Sequence, residues 1–134
     1  DNIKLKQAFT VGIADEAHIV EADYVGIISG HNEPDKLAKA GLHTIKSEFV
    51  DAPLIEELPI TMECKVEEIH QYDQTLRIVA EIVNVSVDEA VLTADGKIDT
   101  AKLHALCYDS SNRAYLALGK KVGTAFSDGK KLAE

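Results

Sequence analysis

The sequence predicts a mainly β fold, a β-barrel with helical insertions. Three observations carry this reading: two long segments with the two-residue period of strands, helical signals confined to short scattered stretches, and an aromatic content of only 5%. At 134 residues, with 46% hydrophobic and 28% charged residues, residues 1–134 are sized for one domain. A chain of this length buries enough surface to build its core without disulfide staples.

The elements follow in order. Asp1–Lys6 is amphipathic and reads as the last turns of a helix, and Ala8–Ile13 (AFTVGI) is a short β-prone strand. Between Asp15 and Ser29, residues Ala17, Val20, Tyr24 and Ile28 recur at helical spacing, with Asp15 and Glu16 in the first turn where they complement the dipole. Gly30 is the expected stop. Asn32, Glu33, Pro34 and Asp35 then open a second short helix, which carries Leu37 and Ala40 and is closed by Gly41. The two helices form a pair hinged at Ser29–Asn32.

From Pro59 the period changes to two, with Ile60, Met62, Cys64 and Val66 on a buried face and Thr61, Glu63, Lys65 and Glu67 on a wet one. His70–Gln74 reads as a polar connection to a long strand, Thr75–Val87. That strand first alternates on Leu76, Ile78, Ala80 and Ile82, then shifts phase to Val83, Val85 and Val87. Such a shift implies either a bulge or a second face covered by a helix or a partner subunit. Asp95-Gly96 marks a turn, Asp99 an N-cap for a helix over Thr100–Leu106, and Asp109–Asn112 a polar turn. Ala114–Leu118 is expected to be a closing strand. Val122–Phe126 fits either a terminal strand or a helical turn.

The net charge of −9 opposes nucleic acid and anionic membranes, so neither is expected as a partner. The longest uncharged run begins at Tyr24, is broken by Gly26 and Gly30 and ends at Glu33, far short of a membrane span. Cys64 and Cys107 lie 43 positions apart without a CxxC, a pattern of reduced core thiols in a cytoplasmic protein. From Arg113 onward five basic residues face Asp128 and Glu134, giving +3, whereas residues 1–112 carry −12. This tail reads as a solvated basic terminus or as a contact for a small anionic ligand.

Cofactor motifs are missing. There is no GxGxxG and no Walker A loop, and Gly26-Ile27-Ile28-Ser29-Gly30 ends a helix instead of opening one. Aligning Gly96 with the sixth position of a calcium loop puts Val91 first and Lys102 twelfth, where carboxylates are needed. The five histidines lack HxH or HExxH spacing, so no metal site is expected. Cys107, with His104 three residues earlier on the expected helix, is either an inert core cysteine or an activated thiolate. Glu56-Glu57 and Glu67-Glu68 are adjacent pairs on solvated faces.

Several segments taken in order carry a resemblance: EADYVGIISG (Glu21–Gly30), PDKLAKAGL (Pro34–Leu42), FVDAPLIEELP (Phe49–Pro59), MECKV (Met62–Val66), VNVSVDEAVL (Val83–Leu92), DGKID (Asp95–Asp99) and NRAYLALGKKVGTAFSDGKK (Asn112–Lys131). Together they resemble the flavoredoxin and flavin reductase-like family over essentially the whole chain. The resemblance implies an FMN-binding split β-barrel that forms homodimers, here without the leading strands that precede the Asp1–Thr10 segment. The chain would then hold roughly two thirds of the domain. Much of the family's FMN cradle lies in that leading part.

Residue by residue, the resemblance implies five residues of cofactor contact. Lys36 in PDKL matches the lysine of an Asp-Lys-Phe motif that approaches the flavin, with Leu37 in place of Phe; the other reading is a surface lysine on a polar helix. Gln74 stands before Thr75-Leu76 where relatives often carry histidine, and it can hydrogen-bond but not titrate near neutral pH. Tyr115 faces the flavin or its entrance, or else is a core tyrosine. Ser29 and Gly30, between the paired helices, complete the set. The implied function is that of an FMN flavoprotein passing hydride or electrons between a nicotinamide nucleotide or redox partner and the flavin, as a flavin reductase or a flavoredoxin-like carrier. A split-barrel binding or dimerisation module without turnover is the alternative.

Overall fold

The computed structural model describes residues 2–133. Helix α1 (Asn2–Lys6) sits where the amphipathic leading segment places it, Asp1 lying outside the described residues. It closes at Gln7, whose backbone turns to a φ of 53° and whose side chain donates to the Lys4 carbonyl at 2.7 Å. Strand β1 (Ala8–Ile13) follows with the expected bounds. A 3-10 turn at Glu16–His18 leads into α2 (Ile19–Ile27); Asp15 caps it by accepting from the His18 backbone N–H at 3.1 Å and pairing with His18 Nδ1 at 2.6 Å. This helix stops at Ile27, three residues before Gly30, so Ile28 is extended. Helix α3 (Lys36–Lys39) is a single turn closed by Gly41 at a φ of 72°, a left-handed position that favours glycine.

Two short strands that no alternation announces, β2 (Thr44–Lys46) and β3 (Pro53–Ile55), pair antiparallel with Ile45 opposite Leu54. Beyond them β4 (Ile60–Tyr72) and β5 (Thr75–Val87) form a hairpin of two 13-residue strands. The expected polar connection at His70–Gln74 is therefore mostly strand: only Asp73 and Gln74 turn, with Asp73 at a φ of 46°. Pairing backbone groups carries the ladder through polar residues there.

The hairpin joins β1 in the order β1-β4-β5, all antiparallel. Its register slips twice. Val66 faces Ala80 but Glu68 faces Val79, leaving Glu67 unpaired; Glu63 faces Asn84 but Cys64 faces Ile82, leaving Val83 unpaired. The second bulge falls where the sequence changes phase, and both bend the hairpin in the manner of barrel strands. Among the described residues the sheets stay separate and none closes on itself.

The wet face expected for β4 is wet at Lys65 and Glu67 but dry in its first half. Thr61 and Glu63 are 5% and 1% exposed, because the β2–β3 unit lies over this side of the sheet, tied by Thr10 Oγ1 donating to the Pro53 carbonyl at 2.6 Å and by Ser47 to Glu63. Local alternation marks a second face but not what covers it.

The later half departs most from expectation. Asp99 does cap α4 (Thr100–Leu103), accepting from the Ala101 N–H at 2.9 Å. The helix ends at His104, whose φ of 47° reverses the chain, so Leu106 opens a strand, β6 (Leu106–Asp109), and is not helical. The stretch expected as a closing strand becomes β7 (Ala114–Ala117), which pairs with β6 alone. Cys107 lies on β6 and is exposed, whereas Cys64 is buried and burial pushes its thiol up. The single-helix placement of His104 and Cys107, and the core position of Cys107, are thereby corrected. Ile60, Val91, Leu103 and Ala105 form the core cluster, with Ile13 and Val87 against it.

Glu63 is the most deeply buried side chain of this arrangement. Its carboxylate accepts from Ser47 Oγ, from Asn84 Nδ2 at 2.6 Å and from Ser86 Oγ at 3.2 Å. Burial alone would raise its pKa; the three hydrogen bonds outweigh that and hold it below the ordinary glutamate value. Glu63→Ala is expected to lower the unfolding free energy by about 2–4 kcal/mol in urea titrations, against under about 0.5 kcal/mol for an exposed change such as Glu67→Ala. A folded pKa below the unfolded one means that this stabilisation is complete above the unfolded carboxylate pKa and fades as pH falls through the folded value. The two stability curves should converge in acid; curves that stay parallel would show that the ionised carboxylate is not what Glu63 contributes.

Candidate functional site

The C-terminus of α2 leaves backbone carbonyls without helical partners, and Lys36 supplies donors for them. Its Nζ donates to the Val25 carbonyl at 2.6 Å and to the Ile28 carbonyl at 2.8 Å, which fixes α3 against the end of α2 and places a cation at the negative end of the helix. Gly30 lies beside it: a Cβ there would meet Lys36 Cε at 3.6 Å. The intervening loop is closed by the Ser29 carbonyl accepting from Asn32 at 3.1 Å and from Glu33 at 3.0 Å, and by Ser29 Oγ accepting from the His31 N–H at 3.3 Å. Ser29, Gly30 and Lys36 are thus brought together. An ion pair of Lys39 with Glu33 braces the same loop.

Gly30 opens onto a cleft of about 480 Å³ between this loop, α1 and the far half of the hairpin. Ile3, Ile69, Leu76 and Ile78 form its apolar wall, and Lys4 and His31 its polar edge. The volume is within the range of about 300–1,000 Å³ usual for small-molecule sites. A larger cleft of about 590 Å³ runs along the outer side of β1 past Phe9, Ile45 and Pro53, and Lys6 pairs with Asp51 there at 2.6 Å. It contains none of the residues singled out from the sequence.

Gln74 is set apart. It is exposed at the hairpin tip and makes no hydrogen bond among the described residues; Gln71 performs the local work, donating to the Asp73 carbonyl at 2.5 Å. Only Leu76, two residues beyond Gln74, reaches the cleft. Tyr115 is not a core residue. Its hydroxyl donates to Asp23 Oδ1 at 2.7 Å, which ties β7 to α2, and its ring lies 5.6 Å from that of Tyr108 at 49°. The bond to Asp23, followed by partial desolvation, raises the phenol above its ordinary pKa. Lys4, His31, Ile69 and Ile78 escaped the sequence reading, since a wall assembled from one helix, one loop and two strands has no linear signature.

The Flavin reductase like domain model matches residues 1–116, and the chain belongs to that family. Among solved structures it is similar to the flavoredoxin of Desulfovibrio vulgaris (Miyazaki F), with 40% identity and a TM-score of 0.85 over 95% of this chain and 67% of that one. The flavoredoxin from Methanosarcina acetivorans gives 26% identity and a TM-score of 0.88, covering 97% of this chain and 68% of that one. Nitrilotriacetate monooxygenase component B from Bacillus cereus, at 23% identity with a TM-score of 0.73 over 92% of this chain and 62% of that one, shares the fold. No curated protein matches. The chain spans about two thirds of the length of the flavoredoxins it resembles. No helix of the described residues is long and apolar enough to cross a membrane.

The Tyr115–Asp23 bond is testable directly. In an alkaline absorbance titration the Tyr115 phenol is expected to ionise above the usual tyrosine range, and Asp23→Asn should bring it down. Identical titrations of parent and variant would remove the bond from the link between β7 and α2.

Proposed function

We propose that this chain is the flavin-handling part of an FMN flavoprotein that exchanges hydride or electrons with a nicotinamide nucleotide or a redox partner. The observation that carries the proposal is Lys36, fixed by two carbonyls beside the Gly30 cleft in a chain that is 40% identical to a flavoredoxin over 95% of its length. The described residues suit the ring of FMN: an apolar wall of Ile3, Ile69, Leu76 and Ile78 excludes water on one side and Lys4 and His31 line the rim. They offer no set of converging backbone amides for the phosphate. When bound, FMN supplies the hydride and electron chemistry at its N5.

What the chain's own residues contribute is position and charge. With two of its three hydrogens committed to the Val25 and Ile28 carbonyls, Lys36 holds its ammonium in one place, and a fixed cation favours a ligand that gains negative charge on reduction. Gly30 adds no side chain between that cation and the cleft. Ser29 orders the loop through its bonds to residues 31–33 and makes no contact of its own with the cleft. Gln74 at the hairpin tip and Tyr115 at the β7–α2 contact line no part of the cleft, and the proposal gives them no role in it.

A homodimer is part of the same reading, because the sheet face bearing Val11, Ile82 and Val85 remains largely exposed. A cytoplasmic location is proposed with it, on the two free cysteines. The second reading, a binding or dimerisation module without turnover, is favoured by the prior engagement of Lys36 with carbonyls.

Two outcomes separate them. Titration of FMN into the protein should perturb the visible flavin bands, and a nicotinamide donor should bleach them; spectra unchanged on both counts would support the module. Lys36→Met should weaken FMN binding about tenfold, a typical loss for one charge-assisted contact, with far-UV dichroism retained, whereas unchanged binding would take Lys36 out of the site.

A further inference from the structure

We propose that the cavity between β1, the start of α2 and the connection from β3 to β4 is a second binding site, one that takes a small primary amine on a single-ring or short apolar body. It lies apart from the Gly30 cleft and rests on no part of the flavin reading.

The cavity measures about 270 Å³, and its walls come from separate stretches of the chain. Gly12 belongs to β1, Val25 to α2, Leu42 to the turn after α3, and Ile55 and Leu58 to β3 and the loop beyond it. Leu42 is buried, and Val25, Ile55 and Leu58 are half-buried. Leu58 lies directly on the bare backbone of Gly12, where a Cβ would meet its Cδ1 at 2.3 Å. Because the walls converge from four parts of the chain, the fold itself bounds this space, unlike the bare face of a sheet. An apolar cavity of about 150 Å³ holds one benzene ring, so this volume takes a ring with a short polar tail.

The polar end is made by His18 and Glu21, three residues apart at the start of α2. Asp15, which is not among the walls, accepts from the His18 backbone N–H at 3.1 Å and pairs with its Nδ1 at 2.6 Å. A carboxylate only accepts, so the ring hydrogen sits on Nδ1 and the neutral imidazole keeps Nε2 as an acceptor. Asp15 thereby fixes the ring and leaves its second nitrogen uncommitted. Glu21 is half-buried and makes no hydrogen bond or ion pair among the described residues. A metal would need a third ligand, and no such group gathers among the described residues. Two acceptors beside an apolar wall, one of them a carboxylate, select a donor on an apolar body. An ammonium supplies three hydrogens and the charge that balances Glu21, whereas an anion there meets two carboxylates and no committed donor.

The test titrates benzylamine, benzyl alcohol and benzoate into the whole chain at constant pH. Long-range ¹H–¹⁵N correlation reads the His18 ring nitrogens, and the backbone amides of Val25 and Leu42 report on the walls. Benzylamine should shift all three along one saturation curve and bind at least about fivefold more tightly than benzyl alcohol, as a charge-assisted contact does. Benzoate should leave them unmoved. Glu21→Gln should weaken benzylamine about fivefold and leave benzyl alcohol unchanged, a split that loss of folding would not produce. Ala22→Met, which extends a side chain of the cavity wall into the space, should weaken both. A His18 ring that does not respond to benzylamine, equal affinity for benzylamine and benzoate, or equal benzylamine affinity in parent and Glu21→Gln overturns the site. No flavin enters the titration, so its outcome is independent of FMN binding at the Gly30 cleft.

Discussion

One buried carboxylate holds the two halves of the sheet region together. Glu63 reaches from the middle of β4 to two side chains of β5 and to Ser47, which in turn accepts from the Phe49 and Val50 N–H groups at 3.0 and 2.9 Å. The irregular turn between β2 and β3 is thus fastened to the long hairpin at a point shielded from water. Among the described residues no cation pairs with Glu63. The fastening depends on complete hydrogen bonding, and among the described residues no buried side-chain polar atom is left without a partner.

The bulges at Glu67 and Val83 decide what the hairpin exposes. Each extra residue bends the pair and changes which side chains meet the core, so that Ile82 and Val85 of β5 lie about half exposed beside buried Cys64 and Val66 of β4. The bend also swings the far half of the hairpin toward α1 and the α2–α3 loop, where Ile69, Leu76 and Ile78 become a wall.

Lys36 illustrates how one side chain ties two elements together. Satisfying the end of α2 requires a donor, and holding a cation beside Gly30 requires immobility; two short bonds to carbonyls do both. Tyr115 acts at the other side of α2, through Asp23. The helix is therefore positioned from two directions, by a lysine at its end and by a tyrosine on a strand that follows it by 92 positions.

The sequence by itself determined the elements whose signals are local. Alternation marked β4 and β5 and even the phase slip at Val83; Asp99, Gly41 and Asp95-Gly96 marked a cap and two turns; and the order of family-like segments pointed to a flavin reductase-like domain. Local signals failed where the deciding partner lies far along the chain. Glu63 reads as solvent-facing until Ser47 and Asn84 surround it, β2 and β3 are too short to show a period, and β6 forms because His104 reverses the chain and Ala114–Ala117 offers a ladder. Lys36 was visible as a residue, but its carbonyl partners and its neighbour Gly30 met it only when two helices packed. Hydrogen-bond satisfaction and burial are properties of the assembled chain, which is why the tertiary structure alone could assign them.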